Sequence, residues 1–212
     1  MQRVFQILAI MVTITFCLTG SSLGVIEKNA NSYYQQGLDY LKKNQYDKAI
    51  ENFDQAIKLD PQYAQAYNLR GIAYFRGKFY NKALADLDKA LQLNPKLELA
   101  YNYRGLVYFY NKDYKKAISD YNKAIELNPK KAIYYNNRGM AHFRNKAYDE
   151  ALADYNKAIQ LKPDLAVAYN NRAYVFLEKK DLPKAEEDVR RAQNLKYPVD
   201  QDILRQVSAG KK

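Results

Sequence analysis

The chain of 212 residues has one cysteine, one histidine and no tryptophan, with only eight glycines and six prolines. A single Cys excludes a disulfide framework, and one Cys with one His excludes a Cys/His metal site. Scarce Gly and Pro argue against a strand-and-turn architecture and favour long helices. No phosphate-cradling Gly loop, metal-ligand cluster or nucleophile motif occurs, so nothing in the sequence calls for an enzyme or a cofactor. Positive charge is abundant, +11 in all, but it is spread along the chain without the compact basic motif of a nucleic-acid binder.

The first 24 residues stand apart from the rest. Arg3 gives a positive start, Val4 to Leu18 runs apolar except for Gln6, Thr13 and Thr15, and Thr19 to Gly24 are small or polar or both, apart from Leu23. This is the layout of a secretory signal peptide cut before Val25, and it places the protein in the periplasm or outside the cell. A membrane anchor retained over residues 4–26 is the rival reading, weakened by the short apolar run and its Thr, Gly and Ser residues. Lipidation at Cys17 fits poorly, because Phe16 stands where a small residue is needed. Cleavage would remove Cys17, which suits an oxidising compartment.

From Ala30 the sequence repeats every 34 residues without insertion. Tyr33, Tyr67, Tyr101, Tyr135 and Tyr169 hold the fourth place of successive units, and Gly37, Gly71, Gly105, Gly139 and Ala173 the eighth. Ala49, Ala83, Ala117, Ala151 and Ala185 hold the twentieth, Ala56, Ala90, Ala124, Ala158 and Ala192 the twenty-seventh, and Pro61, Pro95, Pro129 and Pro163 close the first four units. Each unit reads as two amphipathic helices joined by a short break such as Lys43-Asn44-Gln45 or Arg76-Gly77-Lys78, whose Asn or Gly tolerates a left-handed backbone. Small residues let the two helices approach, large ones fill the space around them, and Pro stops the second helix. A lone hairpin of this kind cannot bury its apolar face, so the units must stack.

The third unit, with Tyr101, Gly105, Tyr108, Tyr114, Ala117, Tyr121, Ala124 and Pro129, closely resembles the tetratricopeptide repeat, and the resemblance spans about four-fifths of the chain. It implies an all-α, right-handed α-solenoid whose first helices line a concave groove. Five 34-residue helix-turn-helix repeats would occupy residues 30–63, 64–97, 98–131, 132–165 and 166–199, with a short C-terminal capping helix and tail in 200–212. Glu186 and Gln193 replace the Ile118 and Ile125 of the third unit, as expected where no sixth repeat follows. Asp181 and Pro183 suit the start of the last second helix. A helix from Asp200 to Val207 would cover the end with Ile203, Leu204 and Val207, and Gly210 would stop it.

Two polar columns invite a functional reading. Arg70, Arg104, Arg138 and Arg172 take the seventh place, and Asp86, Asp120, Asp154 and Asp188 the twenty-third; in the first unit both change together, to Gln36 and Asn52. Joint loss of both charges points to a structural Arg–Asp pair bracing each hairpin, not to a basic ladder for a ligand. Asn68, Asn102, Asn136 and Asn170 take the fifth place, joined by Asn137 and Asn171 at the sixth. In the resembled family the fifth place faces the groove, where an amide can bond the main chain of an extended peptide. The alternative is that these amides link neighbouring repeats.

Leu38, Ile72, Leu106, Met140 and Tyr174, at the ninth place, are the candidate apolar lining of that groove, whereas Leu41, Phe75, Phe109, Phe143 and Leu177, at the twelfth, read mainly as core. Tyr34 and Leu38 occupy places where carboxylate-clamping members of the family carry Lys and Asn, so that clamp is missing. His142 stands where other units have Tyr or Phe, and reads as a packed residue. The partner expected is another protein, presenting an extended or helical segment to the groove. The other reading is a structural or self-associating envelope element, attached through the basic residues of the second helices or through the N-terminal segment.

Overall fold

The computed structural model describes residues 29–209, and every regular element there is helical. The leader with Cys17, and Gly210, lie outside the described residues. In chain order the helices are α1 (Ala30–Lys42), α2 (Tyr46–Leu59), α3 (Ala64–Arg76), α4 (Tyr80–Leu93), α5 (Glu98–Tyr110), α6 (Tyr114–Leu127), α7 (Ala132–Arg144), α8 (Tyr148–Leu161), α9 (Ala166–Glu178), α10 (Leu182–Asn194) and α11 (Gln201–Ala209). Consecutive antiparallel pairs form five hairpins that stack as a right-handed solenoid. Each second helix also packs on the first helix that follows, and first helices touch along an inner layer. No helix among the described residues is long and apolar enough to cross a membrane.

Close packing within each hairpin follows from the small-residue columns. All ten alanines of the twentieth and twenty-seventh places are fully buried. A Cβ added at Gly105 would lie 2.7 Å from the Tyr121 ring, so that ring can lie on the α5 backbone only because the side chain is missing. Phe53, Leu87 and Tyr155 make the same approach to Gly37, Gly71 and Gly139. In the last hairpin the glycine becomes Ala173 and the facing residue shrinks to Val189, which shares one core cluster with it.

The break between helices follows the sequence expectation at Asn44, which is left-handed with a φ of 57°, but not at Gly77. Gly77 keeps a helical φ of −77°, and it is the next residue, Lys78, that turns left-handed at 64°. Lys112, Lys146 and Lys180 do the same, with Asn44 in the first unit. Each closes a six-residue cap at the end of a first helix: Lys78 N–H donates to the Phe75 carbonyl and Phe79 N–H to the Tyr74 carbonyl. That geometry needs a positive φ one place beyond the helix cap. Lysine accepts the conformation at a cost that Asn or Gly would largely avoid.

The C-terminal end is closed by α11. Ile203 and Val207 are buried against Ala185 and Val189, while Asp200, just ahead of the helix, accepts from the Asp202 N–H. Asp181 caps α10 by accepting from the Lys184 N–H, with Pro183 in the first turn. Hydrophobic faces left open by the last repeat are covered in this way, as solenoid ends require.

Candidate partner-binding groove

The four Arg–Asp pairs lie between the two helices of their hairpins, and each is bidentate. Arg104 Nε and Nη2 donate to the two carboxylate oxygens of Asp120 at 2.8 and 2.7 Å, and Arg70–Asp86, Arg138–Asp154 and Arg172–Asp188 repeat the arrangement. The third guanidinium nitrogen reaches backwards. Arg70 and Arg104 Nη1 donate to Asp54 and Asp88, and Arg138 and Arg172 Nη1 to Asn122 and Asn156, all in the preceding unit's second helix. Each Arg thus ties its own hairpin to the one before it, to partners sixteen residues away on either side. The same guanidinium lies over the fourth-place Tyr, 5.5 Å from the Tyr101 ring centre in the third unit, and does so in each of the four units that carry the Arg. Hydrogen bonding to Asp120, opposed by burial, keeps Arg104 charged far above any working pH. At the ends the pattern stops in register: Gln36 has no preceding unit to reach, and Arg190 replaces the acceptor where no following Arg exists.

The Asn columns form a second network on the inner layer. Asn137 donates to Asn102 Oδ1 at 2.9 Å, Asn171 to Asn136 Oδ1 at 3.1 Å, and Asn136 Nδ2 to Asn137 Oδ1 at 3.3 Å. Asn68, Asn102, Asn136 and Asn170 are all buried, with exposures from 1 to 7%. Of these, Asn102 and Asn136 join neighbouring repeats beneath the groove surface. Asn102 and Asn137 come to the floor of one cavity and Asn171 to that of another. One helix position separates the fifth place from the sixth, a rotation of about 100° that takes the fifth off the open face.

The rungs require a sixth-place Asn in the following unit. Tyr103 holds that place in the third unit, and the Oδ1 of the preceding Asn68 is buried without a hydrogen-bond partner. Asn170 Oδ1 is likewise unpartnered, with no sixth repeat beyond it.

The open face of the first helices is a stripe of second, sixth, ninth and thirteenth places, the spacing of one helical face. Leu106, Met140, Leu38 and Tyr174 are half-buried there, whereas Ile72 is almost wholly covered. The twelfth-place Leu41, Phe75, Phe109, Phe143 and Leu177 pack against the core clusters. Residues the sequence reading passed over are more open: Leu99 is 42% exposed, Ile133 41% and Tyr110 55%. The signal that finds them is spacing, since Leu99, Tyr103, Leu106 and Tyr110 follow one another at helical intervals of three or four.

Three cavities open along this face. One of about 360 Å³ is lined by Leu41, Lys42, Asn44, Tyr46, Ile72, Arg76, Leu99 and Tyr103. Another of about 330 Å³ is formed by Leu99, Asn102, Tyr103, Leu106, Lys131, Ile133, Tyr134 and Asn137. The third, about 440 Å³, lies between Met140, Phe143, Arg144, Tyr174, Glu178 and Gln206 of the capping helix, among others. Tyr103 stands between the first two, held by a hydrogen bond from Arg76 Nη2 at 3.2 Å and an edge-on contact with Phe75. Burial pushes the Tyr134 hydroxyl up to about 12, and its oxygen has no hydrogen-bond partner.

His142 is part of the packed interior edge, its Nε2 3.8 Å from Asp154 Oδ2. Burial lowers its pKa, against the pull of the Asp154 carboxylate. No cluster of metal-ligating side chains occurs among the described residues.

Models of the TPR repeat match residues 37–78, and models of the tetratricopeptide repeat match 64–97 and 104–166. The chain belongs to the tetratricopeptide repeat family. No curated protein sequence matches it significantly. Among solved structures it is similar to MamA from Desulfovibrio magneticus RS-1, with 21% identity and a TM-score of 0.71, over 79% of this chain and 94% of that one. It is also similar to YrrB, described as a TPR protein with an unusual peptide-binding site, with 24% identity and a TM-score of 0.68 over 87% and 93% of the two chains. A third similar fold is that of PilF from Pseudomonas aeruginosa, with 19% identity and a TM-score of 0.71 over 78% and 75%. At these identities the likenesses establish the fold. The chain is a TPR scaffold, a fold built for contact between proteins.

Proposed function

We propose that this protein is an exported scaffold that holds a segment of another protein in the groove lined by its first helices. The observation that carries the reading is the row of exposed apolar side chains, Leu99 and Ile133 above all, set beside cavities along the first helices. Exposed aliphatic side chains next to preformed hollows are what an incoming apolar anchor requires. The Asn network makes the floor rigid, and the Arg brace fixes the spacing between units, so the groove is organised before a partner arrives. Export is supported by the layout of the first 24 residues. It makes proteins of the envelope or exterior the partners within reach.

The test is capture from envelope extract by the chain without its leader. Leu99→Ser/Ile133→Ser should keep the melting temperature and lose most capture. A variant of the second-helix lysines, Lys89→Gln/Lys123→Gln/Lys157→Gln, should capture as the parent does. The reverse pattern, with strong salt dependence, would favour attachment through the basic outer surface instead.

A further inference from the structure

The two cavities nearest the N terminus share the wall made by Leu99 and Tyr103, and no carboxylate lines either of them. Their charged lining is basic: Lys42 and Arg76 in the first, Lys131 in the second. Lys42 is engaged by Asp39 at 3.4 Å, but Arg76 meets the phenol hydroxyls of Tyr103 and Tyr46 and no carboxylate, and Lys131 has no carboxylate within salt-bridge distance among the described residues. Glu98 lies close enough to raise the pKa of Tyr134 yet lines neither cavity. The cavity at the other end differs, since Arg144 is there accompanied by Glu178.

Tyr103 marks this stretch as more than repeat packing. Asn at its place would continue the inter-repeat rungs, as Asn137 and Asn171 do. With Tyr there, the buried oxygen of Asn68 has no partner. A buried acceptor without a donor destabilises the fold, and a compensating role for the ring is the wall it builds between two cavities.

Resting on the groove reading above, we infer that these cavities take an acidic segment of the partner. Two apolar side chains of that segment enter on either side of Tyr103, and neighbouring carboxylates pair with Arg76 and Lys131. A guanidinium that meets only neutral phenols can still take a carboxylate in a charge-assisted hydrogen bond. Complementary charge at the edge of an apolar site selects among partners more than it adds affinity.

A displayed library of random short peptides, selected on the immobilised full chain, tests this directly. Selected clones should carry Asp or Glu around paired apolar residues. A synthetic copy of the best clone should weaken about tenfold, roughly 1.4 kcal/mol, when its acids become amides or when the protein carries Arg76→Gln/Lys131→Gln. Both replaced residues are exposed, so the variant should melt as the parent does. Neutral or basic clones that still depend on Leu99 would overturn the acidic preference and leave the groove reading standing. A library that yields no clone sensitive to Leu99→Ser would overturn both.

Discussion

The first helices carry two hydrogen-bond systems, and the two differ in regularity. Toward the second helices, the Arg brace repeats in four consecutive units with nearly constant lengths and ends only where the stack ends. Toward the groove, the Asn network is complete between the third and fifth units and broken where Tyr103 replaces the donor. A feature that every interior unit repeats serves what every unit shares, namely stacking. A donor missing where its acceptor is still in place, at a cost to the fold, points to another demand on that unit.

The largest effect should come from the regular side. Arg104→Leu leaves Asp120 buried and unpaired and also releases Asp88, so it should cost about 3–5 kcal/mol in urea unfolding. Removing Asp120 together with Arg104 should cost less than removing Arg104 alone. Equal, additive losses would show that the brace is not a coupled pair.

The broken rung predicts an asymmetry between chemically identical changes. Asn102→Ala strands the Asn137 amide and should lose about 1–2 kcal/mol, whereas Asn68→Ala removes an oxygen that already lacks a partner and should lose under about 0.5 kcal/mol. Similar losses at both positions would remove the distinction between intact and broken rungs.

His142 is another place where one unit departs from the column. Its folded pKa lies below the ordinary 6.5, first through burial and despite Asp154, with Arg138 and Glu150 also facing it. Below pH 6.5 the unfolded chain therefore binds the proton first, and stability falls with pH until the folded pKa is passed. Thermal melts from neutral pH down to about pH 5 should lose part of that slope in His142→Phe. The smallest effect is expected at the turns: Lys112→Asn relieves a left-handed lysine and should stabilise by about 0.5–1 kcal/mol.

Much of the fold was legible because it is periodic. Spacing alone located all five hairpins, and the joint change at Gln36 and Asn52 identified which Asp each Arg meets. The Arg contact to the preceding unit was harder, since Asp54, Asp88, Asn122 and Asn156 are divided between two residue types that share only an acceptor oxygen. The left-handed turn was placed correctly at Asn44 but one residue early in the second unit, because glycine is the usual candidate, yet cap geometry fixes the position and Lys78 happens to occupy it. The groove was blurred for a similar reason. Fifth and sixth places are adjacent in sequence but about 100° apart on the helix, so the conspicuous Asn column drew the eye from Leu99, Tyr103 and Ile133.

On the inference above, Tyr103 is kept for the groove and not for the stack. The direct measurement is the affinity of Tyr103→Asn for a groove-selected peptide. This change copies the fourth and fifth units and supplies a donor for Asn68, so the chain should stay folded while affinity falls at least about tenfold. Undiminished affinity in the folded variant would contradict the claim.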